Sequence, residues 1–253
     1  MSRMLKEIKN LFSFLTSIPV SMDQDILNDC AKSMFLFPFV GAFIGLLAGL
    51  FGWIISPFIP SLVVGALVLG FLLLITGLHH TDGLLDFGDG VMAHGSPERK
   101  IEIMHDQLTG AGGLSLGIIT LLITAFSLAE LETDMMIQGL VVVEVSAKLS
   151  MVVGAWAGKM AHKGMSLPFL EAMHGQKGTA RLIVALAISF GIALPLLWLA
   201  GVVTIAVAIL ASLVMVGISH RHFRGVTGDM LGATNELARM VSLITLLAII
   251  GWV

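Results

Sequence analysis

The chain has little of what a soluble or disulfide-bonded protein needs. Only 12% of its 253 residues are charged, it has no tyrosine, and it has a single cysteine, Cys30. One cysteine cannot form an internal disulfide, so cross-links within the chain are excluded. The 57% hydrophobic content excludes a disordered chain, and a net charge of −3 gives no reason to expect nucleic-acid binding. The composition is that of an integral membrane protein.

Long hydrophobic runs are abundant. A bilayer core about 30 Å thick takes roughly 20 apolar residues per helix. Seven segments approach that length, namely 34–55, 61–78, 113–131, 136–156, 182–199, 202–219 and 237–253. We therefore predict an all-α integral membrane protein, a single polytopic domain over residues 1–253 built as a bundle of about seven transmembrane helices.

The basic residues indicate an orientation. Thirteen of the fourteen Lys and Arg residues lie in four intervals, 1–33, 79–112, 157–181 and 220–239. Positive charge is retained on the cytoplasmic side, so these intervals, the N-terminus and the active site are predicted to face the cytoplasm. The first interval is amphipathic and short, which favours an interfacial helix on the cytoplasmic membrane over a signal peptide.

The fourteenth basic residue, Lys148, lies inside the fourth predicted span. Glu144 precedes it by four residues, one helical turn away on the same face. Charges within a membrane helix are usually paired and face the interior of the bundle. Structural pairing is therefore the favoured interpretation, with a catalytic or transport role as the alternative.

Carboxylates are concentrated just after the second predicted span. If this segment is helical, Asp82, Asp86 and Asp89 are spaced i, i+4 and i+7 and project from one face. Three like charges on one face favour a bound cation, and hard oxygen ligands select Mg²⁺ with room for substrate phosphate oxygens. Gly83 and Gly90 leave space for a phosphate or a second backbone. A solvated acidic loop is the alternative.

A second polar segment closes the chain's last cytoplasmic interval. Arg221 and Arg224 can hold phosphates with their planar guanidinium groups, and the glycine-rich backbone at 225–228 can approach an anion. Asp229 and Glu236 repeat the i, i+7 spacing and are further candidate metal ligands. Positive-inside anchoring of the arginines and solvation of the acids are the alternatives. The candidate substrate-binding residues are His80, Gly83, Gly90, Asp106, Arg221, Arg224, Gly225, Thr227, Gly228 and Asn235.

These groups favour one class of reaction. Carboxylates that gather Mg²⁺, arginines that hold phosphates and glycines that make room indicate phosphoryl or nucleotidyl-linked group transfer, with Asp82, Asp86 and Asp89 as the catalytic acids. Histidines near the acids raise a zinc alternative, but no His-Glu-x-x-His sequence or cysteine pair supports it. Spacing alone does not identify the substrates.

Four stretches resemble the cobalamin synthase family, also called adenosylcobinamide-GDP ribazoletransferases. They are the Asp-Gly-rich run over 80–113, Phe-Leu-Thr-Ser-Ile-Pro-Val at 14–20, Phe-Pro-Phe-Val-Gly at 37–41, and Arg-Gly-Val-Thr-Gly-Asp-Met-Leu-Gly-Ala at 224–233. The stretches occur in the family's order, and the resemblance extends over nearly the whole chain. Two departures stand out: Ser17 where the family usually has Arg, and Arg224 where a Gly is common.

The resemblance implies a function and a site. It implies that a ribazole hydroxyl attacks the cobinamide-linked phosphate of adenosylcobinamide-GDP, GMP leaves, and α-ribazole or its 5′-phosphate is joined in a late step of cobalamin biosynthesis. It also implies Mg²⁺ dependence, with Asp82, Asp86 and Asp89 as the metal and diphosphate site and Asp229 with Glu236 as a second acidic contribution. A homo-oligomer or a complex with other cobalamin-assembly enzymes is a further expectation.

Two other functions stay open on the sequence alone. A CDP-alcohol phosphotransferase uses similar Asp-Gly acids with Mg²⁺, but its pattern normally continues with Ala-Arg, whereas Val91 and Met92 follow here. A cation transporter or channel could use the same acids as an entry funnel. GMP release would support the transferase, and ion flux into liposomes would support the transporter.

Overall fold

The computed structural model describes residues 3–17, 24–161, 164 and 166–250. Apart from one isolated bridge between Met160 and Val226, its regular structure in these ranges is helical. The α-helices are α1 (Arg3–Leu15), α2 (Gln24–Lys32), α3 (Phe37–Ile55), α4 (Ser61–Ile75), α5 (His79–Met92), α6 (Pro97–Met104), α7 (Ala111–Ala129), α8 (Met136–Ala157), α9 (Leu167–His174), α10 (Gly178–Phe223) and α11 (Gly228–Ile250). The all-α prediction is confirmed.

Within these ranges, five helices are long and apolar enough to cross a membrane, or six if α4 and α5 together form one bent span. The predicted spans at 34–55, 113–131 and 136–156 correspond closely to α3, α7 and α8. Large apolar side chains such as Ile54, Leu74 and Phe126 are more than half exposed on their helices. An exposed apolar surface of this kind suits contact with lipid.

Helix α8 forms the centre of the bundle, packed against α3, α10 and α11. It is buried along almost all of its length, including the charged side chains of Glu144 and Lys148. Small residues allow the close packing: a Cβ added to Gly41 on α3 would lie 2.5 Å from the carbonyl oxygen of Glu144, and one added to Gly45 would clash with that of Leu140. Such close backbone approach is typical of helix contacts in membranes.

Helix α10 contains both spans predicted at 182–199 and 202–219. A straight helix of its 46 residues would be roughly 69 Å long, more than twice the apolar thickness of a bilayer. The backbone leaves helical geometry at Trp198 (φ 48°, ψ −129°), and a Cβ on Gly201 would lie 2.6 Å from the carbonyl oxygen of Ala193. Residues eight apart in a straight helix are about 12 Å apart, so the chain folds back here as a helical hairpin.

Two predicted boundaries were wrong. The span predicted at 61–78 ends at Ile75, and the chain then bends by 96° into α5. The helix predicted to span from residue 237 begins at Gly228 instead, so residues 228–239 are part of α11. Arg239, counted with the interval 220–239, is fully buried. Polar residues at the start of this helix interrupt its apolar pattern in the sequence. In the fold, Asn235 and Arg239 bind Lys148 and Glu144 on α8 and so are accommodated in the interior.

Candidate active site

Helix α5 carries the acidic run and begins at a sharp turn. Gly77 and Leu78 both have left-handed backbone conformation, with φ of 69° and 65°, and they separate α5 from α4. The turn sends α5 sideways across the bundle, where it packs against α7 and α11. Because α5 is helical, Asp82 and Asp86 lie one turn apart on one face, as predicted.

Glycines at the crossing of α5 and α11 bring a third carboxylate to this pair. A Cβ added to Gly83 would lie 2.8 Å from the carbonyl oxygen of Asp229, and one added to Gly232 would lie 3.3 Å from the backbone of His80. No larger residue fits at Gly83 without moving a helix. The space predicted beside the acids is therefore filled by a second backbone, and the contact places Asp229 next to the α5 acids.

The electrostatics of Asp86 reflect this crowding. Burial, followed by the nearby charges of Asp82, Asp229 and Asp89, raises the pKa of Asp86 from 3.8 to about 7. A carboxylate held near other carboxylates resists ionisation unless a cation compensates the charge. Oxygen donors at a site of raised negative potential match the chemistry that Mg²⁺ prefers.

The third acid of α5 has a different role in this structure. Asp89 accepts hydrogen bonds from the backbone N–H groups of Gly110 (2.7 Å) and Gly113 (2.8 Å). Gly110 is the N-cap of α7, so Asp89 supplies from another helix the acceptor that an N-cap side chain usually provides. The helix dipole favours a negative charge at this end. Both oxygens of Asp89 are thus engaged by the protein.

The Thr-Gly-Asp segment starts α11. Thr227 is buried and its hydroxyl oxygen accepts the backbone N–H of Met230 at 3.1 Å, which caps the helix. Gly225 lies directly against residues 159–161, and Val226 donates its backbone N–H to the carbonyl oxygen of Lys159 at 2.6 Å. This anchoring fixes the helix start, so Gly228 and Asp229 are held at the surface of a cavity.

That cavity, of about 410 Å³, lies beside the acids. Its polar lining includes His79, His80, Asp82, Ser166 and Asp229, and the rest of its lining is mostly apolar. Burial lowers the pKa of His80 well below 6.5, and the charges of Lys148 and Arg239 lower it further. His80 is 7% exposed, and within the described part of the chain its Nδ1 has no hydrogen-bond partner. The cavity is therefore lined by an imidazole whose burial favours the neutral form.

The last two predicted polar residues of α11 lie in a buried network instead. Asn235 accepts a 2.7 Å hydrogen bond from Lys148 and donates one of 3.1 Å to Glu236. Glu236 also pairs with Arg239, which in turn binds Glu144. Both carboxylate oxygens of Glu236 are engaged within the protein. The predicted pairing of Glu144 with Lys148 is present at 3.5 Å.

A model of the cobalamin-5-phosphate synthase family matches residues 7–247. The chain belongs to this family. Relatives named adenosylcobinamide-GDP ribazoletransferase cover 97% of the chain: those of Methanosarcina barkeri (35% identical, 93% of the relative covered), Thermococcus kodakarensis (34%, 99%) and Methanococcoides burtonii (32%, 93%). No solved structure matches the chain significantly. The resemblance seen in the motifs is confirmed.

In this member of the family, the remaining predicted residues lie away from the acidic crossing or serve packing. Gly90 is buried where a Cβ would meet Met104 and Phe223. Arg224 pairs with Glu98 on the surface at 3.3 Å, and Arg221 is exposed. Asp106 is exposed and accepts the backbone N–H of Leu108 at 3.2 Å. The structure thus brings together His80, Asp82, Asp86 and Asp229 from the predicted set.

The described side chains at the acidic crossing would give a metal ion only part of its ligands. Among the described residues, no three His, Cys, Asp or Glu side chains are placed closely enough to hold a metal ion together. The Asp82, Asp86 and Asp229 carboxylates fit Mg²⁺ by ligand type and by their mutual repulsion, and they can supply part of a coordination shell that substrate phosphate and water complete.

The sequence interpretation missed the residues that build the cavity. Phe14 on α1, Phe37 on α3 and Phe169 on α9 line it, although these helices are far apart in sequence. The three phenylalanines are indistinguishable from core residues in a sequence. Arg239 was missed as the partner of Glu144, although its i, i+3 spacing from Glu236 is a signal of helical pairing.

Proposed function

We propose that the chain is a Mg²⁺-dependent adenosylcobinamide-GDP ribazoletransferase that joins its substrate to α-ribazole or α-ribazole 5′-phosphate with release of GMP. Family membership supports the reaction. The observation that carries the site is the convergence of Asp82, Asp86 and Asp229 where α5 crosses α11, beside a cavity lined by His80. The CDP-alcohol phosphotransferase and transporter interpretations have no comparable support.

The reaction needs charge neutralisation more than covalent chemistry. A bond forms between the ribazole hydroxyl oxygen and the cobinamide-linked phosphorus, the bond from that phosphorus to the GMP oxygen breaks, and the hydroxyl proton passes to a base. When bound, Mg²⁺ would neutralise the diphosphate and stabilise GMP as it leaves. In the proposal Asp82, Asp86 and Asp229 supply carboxylate oxygens to the ion, because they lie where α5 crosses α11 and the charges of Asp82 and Asp229 raise the pKa of Asp86.

His80 has a separate part in the proposal. Its burial favours the neutral imidazole, and its unpartnered Nδ1 can exchange a hydrogen bond with a substrate hydroxyl or phosphate oxygen. Glu236 and Asn235, first considered as site residues, would act indirectly by holding α11 against α8. Asp89 would likewise position α7 and not touch substrate.

The proposed membrane arrangement has seven spans. It counts α3, α4, α7, α8, the two arms of α10 and α11, with the N-terminus, α5, α6 and α9 on the cytoplasmic side of the cell membrane. The hairpin at Trp198 supports the separation of α10 into two arms. The clustering of basic residues supports the orientation. Assembly with further copies or with other cobalamin-assembly enzymes stays a prediction.

The test is GMP release by detergent-purified protein from adenosylcobinamide-GDP and α-ribazole phosphate, with Mg²⁺ and then with EDTA. We expect metal-dependent GMP and a cobalamin product. Asp82→Ala and Asp86→Ala should abolish turnover while the folded protein is retained. Asp134→Asn, in the exposed connection before α8, is the matched control and should retain full activity. Near-normal GMP release by either aspartate variant would remove the metal-site assignment.

A further inference from the structure

The cavity beside the acids has a composition that suits only one part of the two substrates. Besides its polar residues, it is lined by side chains of low polarity: Phe14, Leu27, Met34, Phe37, Met151 and Phe169. Its volume of about 410 Å³ falls within the roughly 300–1,000 Å³ of small-molecule pockets. One substrate group with an apolar body and a polar end would fill such a space.

Three aromatic rings in contact with one another lie along the cavity. Phe14 and Phe169 are stacked with ring centroids 5.1 Å apart, and Phe37 lies 6.1 Å from Phe169 and 6.2 Å from Phe14. They come from α1, α3 and α9, so the folded bundle, and no single helix, brings them together. Aromatic faces of this kind bind flat aromatic ligands by offset stacking or edge contact.

A second observation indicates that the cavity takes a polar group as well. His80 is more than nine-tenths buried, and its Nδ1 has no hydrogen-bond partner among the residues that the structure describes. A buried polar atom without a partner is costly, because its interaction with water is lost without replacement. A ligand hydroxyl or phosphate oxygen in the cavity would supply the missing partner, next to Asp82 and Asp229.

We infer that this cavity binds the ribazole, with its benzimidazole ring against Phe14 and Phe169, beside the fully buried Phe37, and its ribose toward His80 and the acids. The inference rests on the proposed function. Guanine, with donors and acceptors around its edge, would leave most of them unpaired against the apolar lining. The corrinoid, a macrocycle with many amide side chains, exceeds the volume of the cavity. The adenine of the adenosyl group, like guanine, has a polar edge, so the benzimidazole nucleoside is the group that combines a flat apolar ring with a hydroxylated end that must reach the acids.

The rings are therefore specificity-determining residues for the nucleoside. Because their side chains supply stacking and shape but no hydrogen bonds, the site selects an apolar fused ring over a polar purine. The width of the cavity would determine which substituents on the benzimidazole ring fit. Leu27 on α2 lines the same space and is only partly buried, so a larger side chain there has room to turn inward.

The experiment measures α-ribazole binding directly, by equilibrium dialysis with the detergent-purified full chain in EDTA, where no turnover occurs. Phe14→Ala should weaken α-ribazole binding about tenfold or more, because it removes one stacking face. Phe12→Ala is the matched control on the same helix: Phe12 contacts Phe43 with ring centroids 5.0 Å apart and does not line the cavity. Binding of adenosylcobinamide-GDP should be unchanged in both.

If Phe14→Ala does not fold, a variant that narrows the cavity still tests the inference. Leu27→Trp should reduce binding of the dimethylbenzimidazole riboside more than that of the unsubstituted benzimidazole riboside. Equal α-ribazole binding by folded wild type, Phe14→Ala and Leu27→Trp would overturn the inference, as would weakened binding of adenosylcobinamide-GDP alone. Since dialysis in EDTA requires neither metal nor turnover, loss of the metal proposal would show separately, as absent Mg²⁺-dependent GMP release by the wild type.

Discussion

Asp89 on α5 accepts a 2.8 Å hydrogen bond from the backbone N–H of Gly113 in the first turn of α7. The bond links the helix that carries the acids to a helix long and apolar enough to span the membrane. The carboxylates of α5 therefore have two different roles. Asp82 and Asp86 lie near other acids, whereas Asp89 caps the N-terminus of α7.

Asp89→Ala should therefore lower stability as well as activity. Loss of a helix cap costs about 1–2 kcal/mol, and for a chain of this size each kcal/mol lowers Tm by roughly 2–4 °C. Thermal unfolding in detergent measures the change. Asp106→Ala is the control, because that exposed side chain accepts a local backbone N–H, from Leu108. A Tm equal to wild type for Asp89→Ala would contradict the capping role.

The raised pKa of Asp86 predicts a pH dependence in the metal-free protein. Because the folded state holds the Asp86 proton more tightly than the unfolded state does, its contribution to stability is fully present below about pH 4 and is lost as pH rises through about 7. Metal must displace the same proton. Apparent Mg²⁺ affinity should consequently rise with pH up to about 7 and level off above it.

Asp86→Asn tests this linkage. At pH 8 the variant should unfold at a higher temperature than the metal-free wild type, by roughly 2–4 °C after allowance for solvent screening, because one repelling charge is gone. It should also lose the stabilisation that Mg²⁺ gives the wild type. Titrations of Tm against Mg²⁺ at pH 6, 7 and 8 provide both readouts. An unchanged pH profile in Asp86→Asn would assign the titration to another group.

The sequence predicted the helices and the acidic run because both depend on local spacing. Asp82 and Asp86 share a face as soon as α5 is helical. The role of Asp89 was not predictable, since its partners are backbone groups more than twenty residues away. The start of α11 was missed for a related reason: Glu236 and Arg239 look like loop residues in a sequence, but in the bundle interior Arg239 pairs with both Glu236 and Glu144. Lys148 supplies the second positive charge beside Glu144.

Arg224 offers a test of the phosphate role predicted for the last interval. Its backbone is left-handed, with φ of 60°, and its side chain makes an exposed ion pair with Glu98. Arg224→Gly should raise stability by about 1 kcal/mol, because glycine adopts this conformation without a Cβ penalty. If Arg224 also holds a substrate phosphate, KM for adenosylcobinamide-GDP should rise in Arg224→Gly and Arg224→Ala alike.

Glu98→Ala separates the effect of Arg224 on stability from its effect on substrate binding. It removes the surface ion pair, which contributes little to stability when both partners are exposed, and leaves Arg224 free to bind an anion. KM for adenosylcobinamide-GDP should then be unchanged or lower. An unchanged KM in both Arg224 variants would leave Arg224 with a role only in the helix end and the positive-inside charge.

Cys30 makes the wild-type chain a suitable background for testing the orientation. Burial, followed by the nearby charge of Asp29, raises the pKa of its thiol to about 12, and the side chain is fully buried. The reactive thiolate is therefore scarce below that pH, and Cys30 should not react with a maleimide at pH 7 in the folded protein.

Ser96→Cys introduces an exposed thiol at the cap of α6. A membrane-impermeant maleimide should label it only after cells are permeabilised, and Glu132→Cys, in the exposed connection between α7 and α8, should be labelled in intact cells. Labelling of Ser96→Cys from outside would invert the proposed topology and move the acids to the opposite side of the membrane.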